Sequence, residues 1–326
     1  MDKKILFISE VNYNGIELTR NFKNSRTDVA WELALNADHM SFGGGYGNTY
    51  DLIILIIPKK IERLGNFEEL KSSFLSMLKA NKGKFAVMQE GPYWYFQDYS
   101  IEDQIKYYNI LLSADFLLCH NDADVRYFAG ITGKACYTMQ SLMIEDTIKN
   151  LPEVERKGVI LGGNFVSWYG GFDSYVVARE FETEKIYLPS MGRKQDNEEV
   201  VSGLVHSPYM IWTDWIKYLN NFKYGVHMMR IHAAGTFALN CSYLGIPCIG
   251  YYGLDTQQIL HPSLCVELGD INTARELANK LKEDKKFYEY CSTETKHMYN
   301  MFYTEEVFIS QFKKILKNEG ILDEEI

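Results

Sequence analysis

The stretch Arg230-Ile-His232-Ala-Ala-Gly235-Thr236-Phe-Ala-Leu-Asn240-Cys-Ser-Tyr-Leu244-Gly245-Ile246-Pro247-Cys-Ile-Gly250 decides the fold. A strand over residues 224–229 runs into it, a helix over 235–244 starts on small residues, and Gly245-Ile246-Pro247 leads into a second strand over 246–251. Strand, helix and strand in succession is the unit from which parallel sheets are built. Working outward, the alternation continues in both directions. Downstream come a short strand at 265–268 and helices over 272–283, 286–301 and 305–317. Upstream come a helix over 207–220, a strand over 185–188, a helix over 173–181 and a strand over 158–161 that ends in Gly162-Gly163-Asn164.

A polar stretch at 148–157, with Asn150 and Pro152 among its charges, is the expected linker. Before it the pattern runs a first time, with strands over 4–8, 51–58, 84–89 and 114–120 and helices near 27–36, 66–80, 101–113 and 122–130. The strand at 51–58 is continuous in Leu and Ile, as a parallel strand buried on both faces must be. Phe67, Leu70, Phe74, Leu75 and Leu78 recur at helical spacing. The expected fold class is therefore α/β, with two Rossmann-like doubly wound domains facing a central cleft and helices at the C-terminus. The expected domains are residues 1–152 and 153–303, followed by a helical segment at 304–326. Ligands of such folds bind at the carboxyl ends of the strands.

Composition excludes several classes. The length of 326 residues suits two domains, and 46% hydrophobic with 24% charged residues is ordinary for a globular chain. The longest apolar run, at 52–58, is far short of the ~20 residues of a membrane span, and no secretory apolar region follows Met1-Asp2-Lys3-Lys4. A cytoplasmic chain (host cytoplasm if viral) without a membrane span is expected. The net charge of −9 opposes non-specific nucleic-acid binding, which needs a basic surface. The six cysteines form no CxxC pair and lie in apolar stretches, as buried thiols of a reducing compartment do. Seven histidines form no HxxxH pair, so no metal is expected. Aromatic residues reach 14%, which suits packing, an acceptor platform or a homodimer face.

The second half resembles the donor domain of GT-B glycosyltransferases. The residues carrying this are the strand and glycine turn Gly158-Val-Ile-Leu-Gly162-Gly163-Asn164-Phe165 before the helix at Asp173, and the 230–250 stretch. Within that family the glycine turn is similar to that of the bacteriophage DNA β-glucosyltransferases. The resemblance implies a nucleotide-sugar donor, UDP- or GDP-linked, no required cofactor, and a diphosphate held between the glycine turn and the start of the helix at Gly235. It also implies a last helix returning to the first domain. Many GT-B enzymes carry a glutamate on the helix after the diphosphate turn; the matching position here is Asn240, which hydrogen-bonds without the charge assistance of a carboxylate.

Each constellation has a functional and a structural reading. Glycines at Gly162 and Gly163, with Asn164, let backbone amides approach a phosphate, or simply turn the chain. Amides at Gly235 and Thr236 can hold a diphosphate while Arg230 or His232 neutralises the leaving group; an ion pair and a helix-start hydrogen bond explain the same side chains. Arg193 is a second basic candidate, in a loop. Glu90 follows a strand directly and is the first candidate for the general base of an inverting transfer, with Asp98 the second. Tyr93 and Trp94 either stack on an acceptor or plug a hydrophobic loop. Asp122-Ala123-Asp124 matches a metal motif but reads as a capped helix start. Asp255 and Gln257 either bind donor-sugar hydroxyls or begin a helix. Residues 41–47 are glycine-rich without the GxGxxG order.

The sequence thus predicts a metal-independent glycosyltransferase that moves a sugar to the hydroxyl of a glycan, a small molecule or hydroxymethylated DNA. Lys59, Lys60, Arg63, Lys82 and Lys84 are the basic face that a DNA acceptor requires. The alternative from a different class is a non-catalytic nucleotide- or sugar-binding protein of the same fold.

Overall fold

The computed structural model describes residues 3–13, 16–26, 28–42, 48–58, 60–89, 91–190 and 197–323. The chain divides into two compact units, Met1–Ile144 with Glu305–Ile326, and Glu145–Thr304.

The first unit holds strands β1 (Ile5–Ser9), β2 (Asp38–Ser41), β3 (Leu52–Ile56), β4 (Lys84–Gln89), β5 (Phe116–Cys119) and β6 (Cys136–Thr138). They form one parallel sheet in the order β2-β1-β3-β4-β5-β6. Its helices are α1 (Asp28–Leu35), α2 (Phe67–Lys79), α3 (Tyr93–Gln97), α4 (Ile101–Ser113) and α5 (Asp122–Thr132). Alternate side chains sort to opposite faces. Leu6, Ile8, Ile53, Leu55, Val87 and Leu117 pack with Phe74, Ile110 and Phe128 of α2, α4 and α5. Ile5, Phe7, Leu52, Ile54, Met88 and Leu118 pack with Trp31 and Leu35 of α1. Both faces are covered, which is why these strands read as unbroken apolar runs.

The second unit holds β7 (Val159–Leu161), β8 (Ile186–Pro189), β9 (Leu204–Ser207), β10 (Tyr224–His227), β11 (Cys248–Tyr251) and β12 (Cys265–Val266). Its helices are α6 (Gly171–Ala178), α7 (Trp212–Leu219), α8 (Thr236–Leu244), α9 (Asp255–Leu260), α10 (Ile271–Glu283) and α11 (Lys285–Phe302). The sheet is again parallel, in the order β12-β11-β10-β7-β8-β9. The chain winds outward from β7 through β8 to β9, then crosses back to lay β10 on the other side of β7. Between β7 and β10 the winding direction reverses, and such a switch point opens a crevice at the carboxyl ends of the strands.

The last helix, α12 (Glu305–Asn318), belongs to the first unit. Phe308, Phe312, Ile315 and Leu316 enter the same apolar layer as Trp31. Both ends are tied down: Arg20 grips Glu305 with two bonds of 2.9 and 2.6 Å, and Glu319 accepts from Lys84 Nζ at 2.8 Å and Tyr137 OH at 2.7 Å.

Four elements were not expected from the sequence. β2, β6 and β9 are short, part-exposed strands at sheet edges, so they lack the apolar run that marks a buried strand. The expected helix over 207–220 therefore begins only at Trp212, after β9. The fourth is α3, a short helix of aromatic residues where the sequence predicts a loop. All six cysteines are unpaired thiols. Among the described residues no helix is long and apolar enough to cross a membrane.

Phe312 is only 1% exposed within its apolar layer. Phe312→Ala should lower the stability of the first unit by about 3–5 kcal/mol, measured by denaturant unfolding. A loss below about 1 kcal/mol, the scale of a tolerated surface change, would mean that α12 does not complete this core.

Candidate functional site

The loops leaving β7 and β10 flank the switch point of the second sheet, and their sequences explain how closely they meet. The Gly162 amide donates to the Val226 carbonyl at 2.9 Å, so this N–H extends the sheet and does not face a ligand. A side chain at Gly162 would overlap the rings of His227 and Phe237. One at Gly163 would lie 2.6 Å from Tyr169 Cβ. Asn164 is buried, and its Oδ1 accepts from the Val166 amide at 3.2 Å, closing a local turn. At the start of α6 a Cβ on Gly170, whose φ is +63°, would strike the Met228 carbonyl, and one on Gly171 would strike that of Asn164. The glycines thus let β7, β10 and α6 pack backbone to backbone.

This packing places Asp173 and Ser174, in the first turn of α6, against the loop after β10. Ser174 Oγ accepts from the Met228 amide at 2.9 Å and donates to the Gly170 carbonyl at 2.8 Å. Asp173 Oδ2 accepts from Arg230 Nε at 3.0 Å, from Arg230 Nη2 at 2.6 Å and from Tyr251 OH at 2.9 Å. Tyr251 lies at the end of β11, and burial with the neighbouring Asp173 carboxylate pushes its phenol pKa up. Arg230 is therefore ion-paired, yet its side chain remains 54% exposed against 11% for Asp173. Nη1 makes no hydrogen bond among the described residues. The result is an oriented cation at the carboxyl edge of the sheet.

Five residues on, Gly235 caps α8 with φ +67°, and Thr256 Oγ1 donates to its carbonyl at 3.0 Å. A Cβ at Gly235 would overlap that hydroxyl, so the cap is specified by glycine. Thr236 is exposed on the first turn, where helix amides lack intrahelical partners and the dipole favours an anion. His232 is half-buried beside the Gly253 turn. Asn240 is buried on α8. Asp255 begins α9 and is half-buried.

Gln257 lies elsewhere than the sequence reading put it. It is 1% exposed, and its Nε2 donates to the Cys248 carbonyl at 2.8 Å. The amide side chain fastens α9 to β11 inside the unit instead of meeting solvent. Asp173, Ser174, Tyr251 and Thr256 were not singled out as site residues. The available signal was Gly170-Gly171 two residues ahead of an acid, which marks a helix start pressed against another backbone.

In the first unit, Glu90 lies outside the described residues, as do Arg193 in the second unit and the glycines at 43–47. Asp98 is exposed just after α3. The helix start is capped as the sequence predicts: Asn121 Oδ1 accepts from the Asp124 amide at 2.9 Å, and Asp124, a first-turn acid, accepts from the Tyr93 amide through Oδ1 at 2.8 Å. That bond anchors α3 to α5. One face of Tyr93 is stacked on Tyr127 at 4.7 Å, and Trp94 is half-buried, edge-on to Tyr95. Of the basic face, Arg63 pairs with Glu10 at 2.6 Å and Lys84 with Glu319 at 2.8 Å, while Lys59 lies outside the described residues.

No protein-family profile matches the chain, and no curated protein sequence does. Solved structures do match it in fold. One is Alr3699/HepE of Anabaena in complex with UDP and glucose, with a TM-score of 0.65 and 10% identity over 97% of this chain and 100% of that one. Another is an α-glucosyltransferase in complex with UDP and a 13-mer DNA containing an HMU base, with a TM-score of 0.62 and 11% identity over 97% and 99%. A third is sucrose-phosphate synthase of Thermosynechococcus elongatus, with a TM-score of 0.61 and 10% identity over 97% and 99%. The chain has the GT-B fold, with two Rossmann-like parallel-sheet units.

Two histidines of the second unit carry a pH signature. His227 is packed on Gly162 and has no hydrogen-bond partner on either ring nitrogen among the described residues. His261 bonds the Ala238 carbonyl and Thr295. Burial lowers both to about 4 from the usual 6.5, so the folded state binds fewer protons than the unfolded chain between these values. Stability is complete above pH 6.5 and is lost as pH falls toward 4, by about 2 kcal/mol per histidine at pH 5. His227→Leu should reduce the loss between pH 7 and pH 5 by about 2 kcal/mol, followed by denaturant unfolding. An unchanged pH slope would mean that His227 is protonated in the folded protein.

Proposed function

We propose that this chain is a glycosyltransferase that moves a hexose from UDP-hexose to an acceptor hydroxyl. The observation that carries the reading is Arg230, held by Asp173 and half-exposed at the switch point, five residues before Gly235, the cap of α8. The anomeric carbon–oxygen bond to the diphosphate breaks in the transfer, and negative charge grows on the departing phosphate oxygen. A pre-oriented guanidinium and the first-turn amides of α8 stabilise that charge where it develops. This neutralisation by side chain and backbone needs no metal at the diphosphate. HepE in complex with UDP-glucose, at 10% identity, supports uridine as the nucleotide. Asn240 supplies no carboxylate to the ribose, so the nucleoside depends on neutral hydrogen bonds here.

Glu90, which directly follows the last residue of β4, is proposed as the base that takes the acceptor hydroxyl proton as the new glycosidic bond forms. Asp98 is the second choice. Tyr93 and Trp94 are proposed to border the acceptor. The net charge of −9 and the ion-paired Arg63 and Lys84 favour a glycan or small-molecule acceptor over DNA.

Thermal unfolding with UDP, UDP-glucose, GDP and GDP-mannose, each with chelator, tests this. A uridine ligand at 100 times its dissociation constant should stabilise the chain by about 2.7 kcal/mol. Arg230→Ala should weaken that binding at least tenfold. Glu90→Gln should keep the binding and lower acceptor-dependent UDP release by about a hundredfold. No shift with any nucleotide would overturn the reading, and binding without UDP release by the unaltered chain would make the protein a non-catalytic nucleotide-sugar binder.

A further inference from the structure

Far from Arg230 in the chain, the first unit gathers three side chains that the transfer reaction does not use. Asp28 opens α1, Glu32 lies one helical turn further on, and His39 is the second residue of β2. Positions i and i+4 share a helix face, and β2 runs beside β1 so that His39 is level with Phe7. Each of the three offers one ligand atom, and these atoms lie within 4.8 Å of one another. Ser9, at the carboxyl end of β1, holds the imidazole through Oγ at 3.0 Å from Nε2, and Tyr13 packs edge-on against the ring at 4.8 Å.

Glu32 is what needs explaining. Its side chain is 2% exposed, and neither carboxylate oxygen has a hydrogen-bond partner among the described residues. The facing nitrogen, His39 Nε2, is 3.9 Å away, beyond hydrogen-bond distance. A buried carboxylate without a partner is costly, because desolvation is not repaid by any bond. A second carboxylate, Asp28, points into the same space, which worsens the cost unless a positive charge sits there.

We propose that Asp28, Glu32 and His39 form a binding site for one divalent first-row cation, with Mn2+ as its best match. Two carboxylates make the set oxygen-rich and suited to Mg2+ or Mn2+, and the imidazole shifts the preference from Mg2+ to Mn2+. Water completes the coordination. The Ser9 hydroxyl now occupies Nε2, the nitrogen that faces Glu32, so binding of the ion exchanges that hydrogen bond for a metal bond. The ion joins α1 to β2. It lies in a different unit from Arg230.

The full-length chain, stripped with chelator and dialysed, is titrated with Mn2+ while free Mn2+ is read by electron paramagnetic resonance. The expected result is one tightly held equivalent and a melting temperature that rises with Mn2+. Glu32→Gln and Asp28→Asn should each weaken the uptake at least tenfold. Without Mn2+ the Glu32→Gln chain should melt at the same temperature as the unaltered chain or higher, since it no longer buries a lone carboxyl group; this also shows that it folds. The UDP-induced shift should persist in both variants. Absence of the bound equivalent in the unaltered chain would overturn the proposal, as would uptake that neither substitution weakens.

Discussion

A single oxygen, Oδ2 of Asp173, accepts three hydrogen bonds from two side chains at the carboxyl ends of neighbouring strands. Arg230 comes from the segment after β10 and Tyr251 from the end of β11, while the carboxylate itself rides on the first turn of α6. Without that oxygen the guanidinium would be a freely rotating surface group. With it, two of the arginine donors are fixed and the rest are aimed elsewhere. A cation whose orientation is set before the ligand arrives loses little entropy on binding and need not reorganise as charge develops.

Asp173 reaches that position only because the backbone around it has no side chains in the way. Gly170 and Gly171 bring α6 against Met228 and Asn164, and Gly162 leaves room for the His227 ring at the end of β10. These contacts lie at the point where the sheet reverses its winding, so close-packed backbone borders the crevice that the topology opens. The glycine turn after β7 thus acts chiefly by shaping, since its first amide is committed to the sheet. Exposed donors are supplied by the start of α8 and by Arg230. Among the described residues the His227 imidazole has no hydrogen-bond partner, a cost of this packing, and burial holds it neutral.

Much of the fold was legible because its strands are buried on both faces. Leu52-Ile-Ile-Leu-Ile56 cannot be read otherwise, and the 230–250 stretch carries strand, cap, helix and strand in order. What escaped notice lay at the edges, where Asp38-His-Met-Ser41 and Leu204-Val-His-Ser207 are too short and too polar to announce a strand. The candidate site was legible in part. Arg230, Gly235 and Thr236 were readable because local chemistry, a cation ahead of a glycine-capped helix, marks them. Asp173 and Tyr251 were not, because their role depends on a meeting across 78 positions. Gln257 misled for the opposite reason: a polar residue beside a turn reads as exposed, whereas its amide here bonds a strand carbonyl inside the unit. Asp28, Glu32 and His39 are joined by the pairing of β1 with β2, an edge strand absent from the sequence reading.

The proposed transfer depends on the start of α8 and Arg230 together receiving a diphosphate. A crystal structure of the chain bound to UDP tests it most directly. The account predicts phosphate oxygens within hydrogen-bond distance of the first-turn amides of α8 and of the Arg230 guanidinium, with the Asp173 pairing retained. A diphosphate bound away from both groups, or an Arg230 still turned from it, would contradict the account.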